Sequence, residues 1–238
     1  MLKELYAGHL GMVRGVGLIR GDDKTAYRDE VQHLAVWCAN NNLVLNTQKT
    51  KEIIVDFRHV RSHTHIPIYI NRDVVERVSS FRFLGVHISK DLTWSLNSSN
   101  LINKAQQHLY FLLSIKKADL CPKILMDFYR CTIESILINC ISVWYGNCPV
   151  SDCKALQQVV KTAQRINGTQ LPTIENIYHK RCLGRAKSIL KDVSHPNHGL
   201  FTLLPFDRHY RSLCSRTSRH GRSFFPEAVT LLNLTSQR

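Results

Sequence analysis

Two lysines stand two apart, Lys49 and Lys51, in the polar stretch Asn46-Thr47-Gln48-Lys49-Thr50-Lys51. Strand-like alternation follows at once, so both cations fall at the rim of a sheet, where a phosphate can be met. A second cationic set lies far downstream: Arg208, Arg211, Arg216, Arg219 and Arg222, with Tyr210, Phe224 and Phe225 interleaved. Guanidinium groups pair with phosphate oxygens and aromatic rings stack on unpaired bases. A solvated tail has the same composition, so the pattern leaves both readings open. The whole chain holds 32 Lys+Arg against 18 Asp+Glu, a net charge of +14. The excess is uneven: residues 1–150 carry 18 basic and 13 acidic side chains, residues 151–238 carry 14 and 5. Such a charge leaves the fold undetermined but favours an anionic partner, RNA or DNA, held without sequence preference.

Other chemistries find less in the sequence. Cys140, Cys148, Cys153, His179 and Cys182 are the densest set of soft ligands, but intervals of seven and four residues between the first three match no zinc finger or ribbon. None of the eight cysteines forms a C-x-x-C pair, and most lie in apolar helical patterns, which suits reduced, buried thiols in an intracellular protein. His195 and His198 flank a turn and are too few for a metal site. Gly15-Val16-Gly17 is too short for a dinucleotide loop. Asp22-Asp23 after Gly21 precedes a helical pattern, so it reads as a helix cap rather than a metal-binding turn. The expectation is no metal and no cofactor. Without an apolar leader or a long uncharged run, the chain is expected in the cytoplasm or nucleus, away from membranes.

The elements that must position these residues follow from periodicity. A helix is expected from about Lys24 to the run Asn40-Asn41-Asn42, with apolar residues at Tyr27, Val31, Leu34, Ala35 and Cys38. Strands are expected at 51–57, at 66–70 and 73–75 around a turn at 71–73, and at 82–88, together forming a small antiparallel meander; 58–65 is a basic turn. Helical stripes then occupy 96–118, 123–138, 151–167 and 173–193, with Pro122, Pro149, Pro172 and Pro196 at or near the boundaries. A basic tail begins at 194 and ends in a short helix at 227–234. The fold class is α+β, divided at 1–95, 96–193 and 194–238.

Five stretches carry a family resemblance. AVWCANNNLVLNTQKTKEIIVDF at 35–57, FRFLGVHIS at 81–89, the helices at 101–120 and 128–147, and LPFDRHYRSLCSRTSRHGRSFFPEAVTLLN at 204–233 occur in the order seen in reverse transcriptases of LINE-type (non-LTR) retrotransposons, which they resemble. The resemblance implies a truncated palm-type antiparallel sheet with one helix, then a helical thumb and a basic tail. It implies that Lys49 stands near an incoming triphosphate, and that FRFLGVHIS is a primer-grip hairpin carrying Phe81, Phe83, Leu84 and Gly85. That family uses magnesium held by an Asp pair just before the Gly17-Leu18-Ile19 segment. Gly11 and Met12 stand there, and neither supplies the hard oxygen ligands magnesium requires. The implied function is a catalytically inactive remnant of an RNA-directed DNA polymerase that retains nonspecific affinity for nucleic acid.

Residues 177–213 also resemble the N-terminal family of the eighth AlkB homologue. That resemblance implies an iron- and 2-oxoglutarate-dependent oxygenase joined to a methyltransferase. The iron site of such an oxygenase needs His-x-Asp, and none of the twelve histidines has Asp two positions on. A helical scaffold for protein partners is the remaining alternative.

Overall fold

The computed structural model describes residues 24–44, 46–55, 66–70, 72–205 and 209–235. Gly11, Met12, the Gly15-Val16-Gly17 run, the Asp22-Asp23 cap, the turn 58–65 and Arg208 lie outside the described residues. The chain divides into two compact units, one of Met1–Phe83 with Ile88–Leu92, the other of Leu84–His87 with Thr93–Arg238. The architecture is α+β and mostly helical, as the periodicity indicates.

The first unit is built on α1, Lys24–Asn40. Its Val31 packs against Ile68, Ile70 and Val75, the small core of this unit. Ala35 and Cys38 are buried on the same helix. Strands β2 (Tyr69–Ile70) and β3 (Asp73–Val74) form an antiparallel hairpin that turns through Arg72 at φ +71°. Strand β1 (Lys51–Glu52) is shorter than its sequence pattern. It pairs in parallel with β4 (Glu76–Arg77), not within an antiparallel meander. The register explains this: Lys51 lies opposite Glu76 and Glu52 opposite Arg77, and both couples are ion pairs. Opposite charges directly across a ladder favour that alignment, and reversal would break it.

The expected strand at 82–88 is instead a hairpin of β5 (Ser80–Phe83) and β6 (Val86–Ser89). Leu84 at φ +47° and Gly85 at φ +84° make the two-residue turn. Two consecutive positive φ values suit the right-handed twist of the flanking strands. Glycine accepts that conformation freely; leucine does so at a cost.

The second unit is helical. Helix α2, Ser95–Lys117, packs against α6, Val150–Asn167. Leu101, Ala105 and Leu112 of α2 and Leu156, Val159, Val160 and Ala163 of α6 are buried. Between them run α3 (Pro122–Phe128), a π-helical segment (Tyr129–Glu134) and α4 (Ser135–Leu137). Its buried residues are Leu125, Tyr129, Ile133 and Leu137, spaced strictly by four. On a helix of 3.6 residues per turn that spacing drifts by about 120° over three steps. The wider π turn absorbs the drift and keeps all four on one face. Cys140, at φ +49°, then reverses the chain into α5, Ile141–Trp144, and a 3-10 turn at Tyr145–Asn147. Trp144 is fully buried, and its indole N–H donates to the Asn139 carbonyl at 2.8 Å. Helix α7, Ile174–Lys191, is capped by the Thr173 hydroxyl, which accepts from the Asn176 N–H at 3.1 Å.

Within this core the Tyr129 hydroxyl is buried without a hydrogen-bond partner among the described residues, and burial pushes its pKa up. An unmet buried hydroxyl costs about 1–3 kcal/mol. Tyr129→Phe should therefore raise the urea midpoint, by about 1 kcal/mol of stability. A loss of that size would mean the hydroxyl is satisfied.

Candidate nucleic-acid interface

The basic tail is folded onto the helical unit rather than left in solvent. Phe201 is buried after a 3-10 turn at His198–Leu200. Its ring meets Tyr210 edge-on at 6.3 Å and Phe225 at 5.7 Å, and Phe225 meets Phe224 at 5.1 Å. Backbone bonds close the segment: Arg211 N–H donates to the Thr202 carbonyl at 2.7 Å and Leu204 N–H to the His209 carbonyl at 2.8 Å. After a short turn of helix, α8 (Ser218–Gly221), the closing helix α9 (Phe224–Thr235) packs on α7. The Arg185 guanidinium lies 5.4 Å from the Phe224 ring centre, and His179 Nε2 lies 3.4 Å from Glu227 Oε1. Helix α9 begins at Phe224, three residues earlier than its apolar pattern suggests, because Pro226 falls in the first turn, where its missing N–H is tolerated.

One side chain ties the tail to α9. The Asn233 amide accepts from the Tyr210 N–H at 2.8 Å and donates to the Tyr210 carbonyl at 3.0 Å. Asn233→Asp keeps the acceptor but sets a carboxylate oxygen against that carbonyl. It should lower stability by about 1–3 kcal/mol and make the 202–216 backbone more open to proteolysis. An unchanged urea midpoint would refute this.

The expected site residues can now be placed. Arg211, Arg216, Arg219 and Arg222 are all exposed on this folded segment. The aromatic residues interleaved with them are not free to stack on bases: Phe224 is core, and Tyr210 and Phe225 are engaged with Phe201. Lys49 is exposed in a 3-10 turn at Thr47–Lys49, capped by Asn46, whose side chain accepts from the Lys49 N–H at 3.0 Å. Lys51 is half-buried and paired with Glu76, so part of its charge is already compensated. Phe83 is half-buried, with its ring 6.5 Å from Phe81. A methyl group at Gly85 would stand 3.0 Å from the Asn139 side-chain nitrogen. The turn conformation therefore accounts for this glycine without a primer. Lys49, Lys51 and Phe83 belong to the first unit, whereas Gly85 and the tail arginines belong to the second.

Sequence reading missed a surface on α2. Tyr110 and Phe111 are 70% and 53% exposed, and their rings meet edge-on at 6.0 Å. His108 lies 6.2 Å from Phe111. Exposed Lys104, Lys116 and Lys117 share the helix, and residues 92–118 contain no Asp or Glu. Exposed aromatic rings among uncompensated cations can stack on bases while holding phosphates. The signal was present: the buried stripe at 101, 105 and 112 leaves 110 and 111 on the other side.

Cys38, Cys148 and Cys182 are buried, while Cys121, Cys131 and Cys214 are exposed, so the expectation of mostly buried thiols holds only in part. Among the described residues, no three His, Cys, Asp or Glu side chains converge to hold a metal ion. Nor is any described helix long and apolar enough to cross a membrane.

Comparison with known proteins adds one finding. Residues 94–135 match the family model described as alkylated DNA repair protein alkB homolog 8, N-terminal. The match covers α2, α3 and the π segment, and not 177–213, where the sequence reading located that resemblance. It spans a minority of the chain. No curated protein and no solved structure gives a match. The reverse-transcriptase resemblance draws no support from these comparisons.

Proposed function

We propose that the chain binds RNA or DNA through phosphate contacts, without sequence preference, and that it is a remnant of a LINE-type reverse transcriptase without polymerase activity. The observation that supports binding is the folded tail, which holds Arg211, Arg216, Arg219 and Arg222 outward while its aromatic residues form the anchor. Guanidinium groups on an ordered segment lose less conformational freedom on meeting a phosphate than those on a loose one. The Tyr110–Phe111 surface adds a platform suited to single strands. Absence of catalysis rests on the sequence, where Gly11 and Met12 occupy the positions of the metal-binding carboxylates. The test is a titration of a fluorescent 20-nucleotide strand, with a primer–template extension assay in magnesium alongside. Binding that weakens with salt and no extension is expected; salt-independent binding or magnesium-dependent extension would overturn the proposal.

The match at 94–135 favours a second reading, in which the helical unit is a relative of the alkB homolog 8 N-terminal region. An oxygenase reaction does not follow from it, since the sequence has no His-x-Asp. Calorimetric titration with ferrous iron and 2-oxoglutarate would detect such a site; heat of binding for both together would support it.

A further inference from the structure

Two cysteines meet at the start of α6. Pro149 is the residue before its first helical position, with extended backbone at φ −57° and ψ 144°. Cys148 immediately precedes that cap, and Cys153 is the fourth residue of the helix. Side chains at these two positions pack against each other across the helix entry. Here the pair that usually carries aliphatic groups carries thiols. The Cys153 thiol donates to the Cys148 carbonyl oxygen at 3.9 Å, which sets Cys153 Sγ beside the Cys148 residue. Pro149 holds the approach, since its carbonyl accepts from both the Asp152 and Cys153 N–H groups at 3.0 Å.

The surroundings make the two sulfurs unequal. Cys148 is buried and Cys153 is half-exposed. The neighbouring Cys148 thiol and then the Tyr145 hydroxyl favour a thiolate at Cys153. Against these stand partial burial first and then the carboxylates of Asp152 and Glu175, which disfavour a thiolate. The balance lowers the Cys153 pKa, while the neighbouring Cys153 thiol and burial push Cys148 well up. The pair therefore loses its first proton at Cys153, the less buried residue of the two.

We propose that Cys148 and Cys153 are a thiol–disulfide exchange site that a low-molecular-weight disulfide, such as oxidised glutathione, converts to an intramolecular disulfide across the start of α6. The Cys153 thiolate attacks one sulfur of the small disulfide, forms a mixed disulfide and releases one thiolate. Cys148 gives its proton to that released thiolate or to water, attacks Cys153 Sγ and displaces the second thiolate. Two protein thiols are oxidised and one small disulfide is reduced to two thiols. A lowered pKa raises the thiolate fraction at pH 7 by more than it lowers the intrinsic nucleophilicity of the thiolate.

The test uses the full reduced chain, incubated with oxidised and reduced glutathione at graded ratios, quenched with iodoacetamide and mapped by fragment mass spectrometry. The expected product has lost two hydrogens, with only Cys148 and Cys153 protected from alkylation. In Cys148→Ser, glutathione should remain on Cys153 instead. Exposed Cys121, Cys131 and Cys214 are internal comparisons, expected to react more slowly at pH 7. A persistent glutathione adduct on Cys153 of the native chain, with Cys148 still alkylated, would overturn the proposal. So would faster reaction at any of the three exposed cysteines.

Discussion

Replacing Gly146 with alanine is expected to destabilise the chain by about 3 kcal/mol, near the top of the usual range for one added carbon. The added methyl would lie 2.2 Å from the Arg222 carbonyl oxygen and 2.7 Å from the Tyr178 hydroxyl. Neither neighbour can yield cheaply. Arg222 presents backbone, closing the short helix α8, and Tyr178 is buried among the residues that join α7 to the tail. The glycine is there because the tail crosses the 3-10 turn at Tyr145–Asn147 at backbone contact distance. Its substitution should dislodge the segment bearing Arg216, Arg219 and Arg222, and weaken nucleic-acid binding together with stability. For a chain of this length, 3 kcal/mol corresponds to a fall in Tm of about 6–12 °C. Gly184 is the control. It lies inside α7, where a methyl group meets nothing within 4 Å. Gly184→Ala should stabilise by about 0.5–1 kcal/mol, because alanine loses less backbone freedom on forming helix. Two glycine-to-alanine changes of opposite sign, read by thermal unfolding, separate the close approach from a general glycine effect. Equal shifts would refute the tail docking.

The second large effect is on affinity. If the four exposed tail arginines each neutralise one phosphate, the logarithm of the binding constant should fall with the logarithm of salt at a slope of about −2.8 for a single strand. Between 50 and 200 mM salt the affinity should drop by about 50-fold; on duplex DNA the slope is about −3.6 and the drop about 150-fold. Lys51 should add little, because Glu76 already compensates it. Lys49→Gln should flatten the slope by less than one unit, and Lys51→Gln less still.

What the sequence discloses of this fold depends on how far local signals extend. Helices α2, α6 and α7 fall within a few residues of their expected bounds, because buried stripes repeat every three or four residues and Pro149 or Thr173 marks an entrance. The parallel pairing of β1 with β4 was not legible. It is set by Lys51–Glu76 and Glu52–Arg77, couples twenty-five residues apart that composition and alternation do not reveal. Alternation alone hides the turn at Leu84-Gly85, because leucine rarely takes positive φ and FRFLGVHIS then reads as one strand; a hairpin there was implied only by the family resemblance. The tail was undecidable for a different reason: Phe201, Tyr210, Phe224 and Phe225 have one composition whether they pack together or meet bases. Only their mutual distances separate the two cases. Cys148 and Cys153 were weighed against metal-ligand spacings alone. Pro149 between them, marking a helix entrance, was the overlooked cue.

The most direct test is an equilibrium titration of a labelled single strand against the native chain and a variant with Arg211, Arg216, Arg219 and Arg222 all changed to glutamine. Both are measured at 50, 100 and 200 mM salt, with unfolding curves recorded in parallel. The variant should stay folded, since the four side chains are exposed. It should also lose most of its affinity at 50 mM and flatten the salt slope by about 2.8 units. Native-like affinity and slope in a folded variant would contradict the assignment of nucleic-acid binding to the folded arginine tail.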